Sequence, residues 1–202
     1  MSRQGWVETL MTAEGDGTAL TGTTTPTSIL PSGARCQLPG GWADTGRILR
    51  ITATGRISSI VTTPGTFAFT WMLGTTTPSA QTVACALGAV QLNALVQSNE
   101  SWWLDTQLTV RAIGSGTAAN AIATGLFVSQ AIVGGGTGVA GAANLSTGAG
   151  VSSYSQTLPQ TAPAVGTGFD STFFNVVDLF GTWSLANANT ITVHQYALMA
   201  LN

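Results

Sequence analysis

The chain has 202 residues, a mass of 20.6 kDa and a formal net charge of −2, with a pI near 5.0. That length is one domain with a single hydrophobic core, and 44% apolar residues exclude disorder through low hydrophobicity. Only 7% of residues are charged, where about 25% is usual, and the six scattered arginines without any lysine offer no footprint for a phosphate backbone.

Residues 1–18 carry Arg3, Glu8, Glu14 and Asp16 and show no strand pattern. They read as a surface arm with at most a helical turn or two around Trp6–Met11, and they contain no apolar run of the kind a signal peptide needs. The Thr-rich segment that follows, punctuated by Pro26 and Pro31, reads as an edge strand or extended lead-in, because proline cannot donate to a ladder. GRILRITATG alternates, with Leu49, Ile51 and Ala53 on one side and Arg50, Thr52 and Thr54 on the other, and RISSIVTT continues it. GTFAFTWMLG gives the clearest period of two: Phe67, Phe69, Trp71 and Leu73 share one face. Residues 79–96 fit strand and helix templates about equally; a strand with a bulge or break at Gly88 is favoured. SWWLDTQLTVRAIG alternates again, which puts one of Trp102 and Trp103 in the core and the other at a seam. ANAIATGLFVSQAIV reads as a further long strand or strand pair.

Residues 112–169 hold no charge, yet glycines, Asn144 and Pro159 break them up, so no window of about 20 apolar residues suggests a membrane span. Within them 134–168 is glycine-rich and reads as a long surface loop inserted into the domain. Two more strands follow, in FDSTFFNVVDLFGTWS and NTITVHQYALMALN. Eight or nine strands without a long helix predict an all-β fold. The expected form is an antiparallel β-sandwich of jelly-roll type over 19–202, with residues 1–18 as a short N-terminal arm.

The residues offer little chemistry. His194 is the only histidine, and a triad with Asp170 or Asp178 lacks the G-x-S-x-G elbow of a nucleophilic serine. Glu14-Gly15-Asp16 falls short of a calcium loop, and Cys36 and Cys85 read as two reduced core cysteines. We therefore expect no enzyme, no catalytic or metal-ligating residues and no cofactor. The missing surface charge instead suggests a subunit of a permanent assembly. Candidate partner-binding residues are Arg3, Trp6 and Glu8 in the arm and Arg35, Arg47, Arg50 and Arg56 in the segment holding four of the six cations, with Asp44 or Asp105 as intramolecular partners for those arginines. In the last strand, strict alternation puts Ile191, Val193, Ala197, Met199 and Leu201 on one face and Tyr196, Leu198 and Ala200 on the other. Both faces are then partly apolar, and Tyr196, Leu198, Met199 and Leu201 are candidate oligomer contacts.

The runs TSILPSGARCQLPGGWADTGRILRITATGRIS, TTPGTFAFTWMLG and WWLDTQLTVRAIG, and the tail FDSTFFNVVDLFGTWSLANANTITVHQYALMALN, resemble small structural proteins of tailed phages. The resemblance covers residues 20–113 and 169–202 and carries no residue roles with it. It implies a jelly-roll subunit, expected as a homotrimer, that is made in the host cytoplasm and binds the major capsid protein on the outside of the virion as a decoration or cement protein. No nucleic-acid or membrane partner is expected. The competing expectation is a carbohydrate- or receptor-binding module of a phage tail or fibre, with Trp102 or Trp103 and a loop carboxylate as its sugar platform.

Overall fold

The computed structural model describes residues 7–59, 64–75, 81–132, 155–166 and 168–201. Twelve strands account for most of them: β1 (Val7–Thr12), β2 (Leu20–Thr21), β3 (Thr27–Ser28), β4 (Cys36–Leu38), β5 (Ile48–Ser59), β6 (Thr66–Gly74), β7 (Gln81–Gln91), β8 (Gln97–Ala112), β9 (Asn120–Ser129), β10 (Ser155–Leu158), β11 (Asn175–Trp183) and β12 (Thr190–Leu201). One 3₁₀ turn, Ser32–Ala34, is the sole helical element among the described residues.

The strands form two antiparallel sheets packed face to face. The larger has the order β1-β12-β5-β8-β9-β10, with β2 also on β12; the smaller has the order β3-β11-β6-β7, with β4 also on β11. β1 and β2 share one edge of β12, at Ala197–Leu201 and at Thr190–Ile191. β3 and β4 share one edge of β11 in the same way. With each of these pairs taken as one interrupted strand, the first strand lies beside the last in one sheet and the second beside the penultimate in the other. That is the wrap of a jelly roll, with β9 and β10 appended to the large sheet.

The core follows from the alternation in β6. Phe67, Phe69 and Trp71 are all fully buried, and Phe67 packs edge-on to Phe69 and against Trp183 at 4.8 and 4.5 Å between ring centres. Phe69 reaches across to Trp102 and Phe127 of the opposite sheet. Trp71 Nε1 donates to Thr106 Oγ1 at 3.1 Å, so one polar bond also joins the sheets through the core, and Thr106 passes its own proton to Thr124 O. A buried indole N–H needs such a partner. Cys36 and Cys85 are free and buried, as expected.

Gly55 keeps β5 unbroken at a crowded point. A Cβ there would lie 1.9 Å from the carbonyl oxygen of Thr192 on β12 and 3.0 Å from the Trp102 ring. β7 is a strand, and the register slips by a bulge between its pairings with Ala68 and Thr70, where Gly88 adopts φ +75°.

Three expectations need correction. The segment expected to hold a helical turn around Trp6–Met11 is the edge strand β1 from Val7 onward, paired from Val7↔Leu201 to Thr12↔Ala197. It has one neighbour, it is exposed on much of both faces, and a register shift between Thr9 and Met11 breaks its alternation, so no period showed. The 134–168 segment is not wholly a surface loop. Its residues 134–154 and 167 lie outside the described ones, but Ser155–Leu158 forms β10, and Leu158 is buried in the core. After it, 159–166 covers the open edge of β7: Gln160 Nε2 donates to Ala89 O at 2.8 Å, and Gly166 lies against Ala84. The third correction concerns β12. A bulge between Val193 and Gln195 resets its alternation, so Ile191, Val193, Tyr196, Leu198 and Ala200 all face the core. The strand therefore has one apolar inner face and a second, half-buried face carrying Ala197, Met199 and Leu201.

Candidate functional site

The arginines of 35–56 do not converge on one patch. Arg35, after the 3₁₀ turn, lies beside the small sheet with Nε 3.2 Å from Asp178 Oδ2. Arg47 stacks over the Trp42 ring at 4.5 Å and donates to Trp42 O at 2.6 Å, with Asp44 3.9 Å away. Arg50 projects from the outer face of the large sheet and grips Asp105 with both ends of its fork, Nε to Oδ1 at 2.7 Å and Nη2 to Oδ2. The expected pairings with Asp44 and Asp105 are thus both present. Arg56 is exposed on the same outer face, one strand from Ser101 and Thr192. Glu8 is exposed on β1 opposite Ala200, while Arg3 and Trp6 lie outside the described residues.

Asp178 is the most perturbed acid. It is fully buried and accepts from Ser28 Oγ at 2.7 Å and from the Leu179 N–H at 2.8 Å. Burial pushes its carboxyl up to about 6, against the opposing pull of Ser28 and Arg35. It clips β3 and the Arg35 segment onto β11, a fastening role. His194, at the β12 bulge, has Nδ1 2.8 Å from Asp16 Oδ1 in the Glu14–Asp16 turn, so its partner is neither Asp170 nor Asp178. Asp170 organises a loop instead, accepting from Thr172 Oγ1 at 2.6 Å and from the Gly116 N–H at 2.7 Å, and these contacts hold its carboxyl below the usual range. Burial raises both cysteine thiols, Cys85 to about 11, which leaves neither as a thiolate nucleophile near neutral pH. Among the described residues no three His, Cys, Asp or Glu side chains converge as a metal set.

The surface with most character is the outer face of the large sheet. Along β8 the outward side chains are Ser101, Trp103, Asp105, Gln107 and Thr109, while Trp102, Leu104, Thr106 and Leu108 are buried behind them. The two adjacent tryptophans thus divide as alternation required: Trp102 is core, and Trp103 remains 38% exposed. Thr54 of β5 and Val128 of β9 flank Trp103 in register. The hollow around it is lined by Arg56, Asn99, Glu100, Gln130, His194 and Gln195 as well. Next to it along β8, a second hollow lies between Asp105 and Gln107 on one side and residues 157–163 on the other. Asn99, φ 55°, is the one non-glycine residue with positive φ among the described residues, and its N–H is held by Ser58 Oγ at 2.9 Å. The sequence offered Trp102 or Trp103 as a platform and named Arg50, Arg56, Asp105 and His194 separately, but not their meeting on one face, because four separate strands and the 157–163 segment bring them together.

Of the four candidate oligomer contacts, Tyr196 and Leu198 are buried in the core of their own subunit, which the bulge at His194 explains. Met199 and Leu201 are half-buried on the outer face. Val7 of β1, 66% exposed, stands opposite Leu201, and further exposed apolar residues lie at the two ends of the sandwich. At the end of the sandwich where β11 begins are Ile113 and the pair Phe173 (61% exposed) and Phe174. At the opposite end are Leu95, Val96 (69% exposed) and Leu185. Comparison with known proteins gave no matching family model and no matching curated protein.

Proposed function

We propose that this chain is a virion structural subunit, a jelly-roll protein that assembles with copies of itself, three around a common axis, and covers a tailed-phage head as a decoration or cement protein. The observation that carries the reading is the surface. With 7% charged residues, the sandwich exposes threonine-rich faces and apolar loop tips at both ends, Phe173 and Phe174 at one and Leu95 and Val96 at the other. Three of its arginines, Arg35, Arg47 and Arg50, have carboxylate partners within the same chain. Such a surface suits burial against other proteins, since exposed aromatic and aliphatic tips form the anchors of interfaces. Bound copies would bridge neighbouring capsid subunits and add interface that exists only in the assembled shell, stabilising it by mass action.

The experiment is co-sedimentation of the purified chain with shells stripped of it, followed by heating. The reading expects stoichiometric binding and a higher disruption temperature for decorated shells. Unchanged shell stability with no pelleted chain would overturn it. Phe173→Ser with Phe174→Ser should weaken binding to shells or self-association while leaving the fold intact, because both rings are exposed and outside the core.

A further inference from the structure

We propose that the trough along the outer face of β8 binds an uncharged oligosaccharide, whether or not the chain decorates a shell. Trp103 lies in a shallow, open depression of the outer face, and it is the only tryptophan of the described residues among the exposed large apolar side chains. A half-exposed indole face offers a flat apolar surface with a polar edge. That matches a sugar ring, which has an apolar C–H face and hydroxyls around its rim.

The groups beside the indole are those that hydrogen-bond to hydroxyls. Outward side chains on a strand recur about every 7 Å, so Asp105 and Gln107 follow Trp103 along the trough. Asp105 is held in one orientation by the two-point contact with Arg50, and each partner keeps spare capacity: the carboxylate has further lone pairs, and the guanidinium has further N–H donors. A planar acceptor and a planar donor fixed side by side can bind neighbouring hydroxyls without reorganising. Residues 157–163 form a wall along the far side of the second hollow, with Pro159 and Pro163 limiting its freedom.

Charge argues for an uncharged ligand. Arg50 and Asp105 neutralise each other, and Arg56 and Glu100, of opposite sign, both line the Trp103 hollow. An anionic or cationic chain would meet one favourable and one unfavourable group at the same place. A peptide pairing as an extra strand would need a sheet edge, and β8 lies inside its sheet between β5 and β9.

The test uses the full chain, fluorescently labelled away from β8, on a printed array of neutral oligosaccharides. Any bound sugar is then titrated against the unlabelled protein by isothermal calorimetry. Binding to at least one neutral glycan is expected. Trp103→Ala should weaken it about tenfold or more, Trp103→Tyr should recover most of the loss, and Asp105→Asn should weaken it several-fold. Far-UV circular dichroism and the melting temperature establish that each variant is folded; should Trp103→Ala unfold, Trp103→Tyr and Asp105→Asn carry the test. Absence of binding to every neutral sugar on the array would overturn the proposal. So would binding that folded Trp103 and Asp105 variants retain, or preferential binding of a protein or a charged polymer to this face. Failure here leaves shell binding untouched, and loss of shell binding leaves this result untouched, so the two readings fail separately.

Discussion

Asp178 and Gly55 show how single positions hold the sandwich together. Asp178 is buried between Ser28, Arg35 and the Leu179 N–H, and its carboxyl sits near 6 instead of 3.8 because burial disfavours the charge. The folded chain therefore holds this proton in a pH range where the unfolded chain has released it. The stability gained is complete below pH 3.8 and is lost as pH rises through about 6. Its size is at most on the order of 3 kcal/mol. Relative to Asp178→Asn, the native protein should lose stability between pH 4 and 7 in urea denaturation; parallel pH curves for the two would contradict the assignment. At Gly55, an added methyl would strike Thr192 O, so Gly55→Ala must push β5 and β12 apart. We expect a loss of about 3 kcal/mol in the same denaturation experiment. Neither effect was legible in the sequence. Asp178 reads as one acid among eight, and Gly55 only as the last residue of the run GRILRITATG that RISSIVTT continues. By contrast, the division of Trp102 and Trp103 was legible, because alternation needs only the local chain.

The elements divide along the same line. β6 was readable because it lies in the interior of its sheet and buries one face completely, so its period of two is clean. β1 and β10 were not, because each is an edge strand with a single neighbour, and β12 misled through its bulge at His194. These differences change what truncations should do. Removing residues 2–18 takes away β1 together with the bonds from Ala13 N to Tyr196 O and from Gly17 N to Val193 O. It also uncovers the edge of β12 from Val193 to Leu201. The truncated chain should be less stable and prone to self-associate through that edge, seen as polydisperse sedimentation. An unchanged melting temperature would show that β1 contributes nothing. Clipping the last six residues removes Leu198 and Ala200 from the core as well as the outward Met199 and Leu201. Loss of one core leucine already costs about 2–5 kcal/mol, so this deletion should abolish the β-sheet circular dichroism signal, and not merely assembly.

For the molecule as a whole, composition and strand count were enough to reach a jelly-roll sandwich, because a chain of short alternating strands has few ways to bury one face of each. The distribution of functional groups was beyond sequence reading. The four arginines of 35–56 look like one basic segment, yet β5 and the turns before it carry them to different faces. The Trp103 trough, conversely, is assembled from β5, β8, β9 and β12, whose proximity only the wrap creates. Little charge and exposed apolar side chains at both ends of the sandwich are the features behind the proposal that the chain works in an assembly. The most direct measurement is cryo-electron microscopy of intact particles carrying this chain. The account predicts threefold clusters of the sandwich on the outside of the head, with one apolar end against the capsid lattice. Density for the chain at the tail alone, or as isolated single subunits, would contradict it.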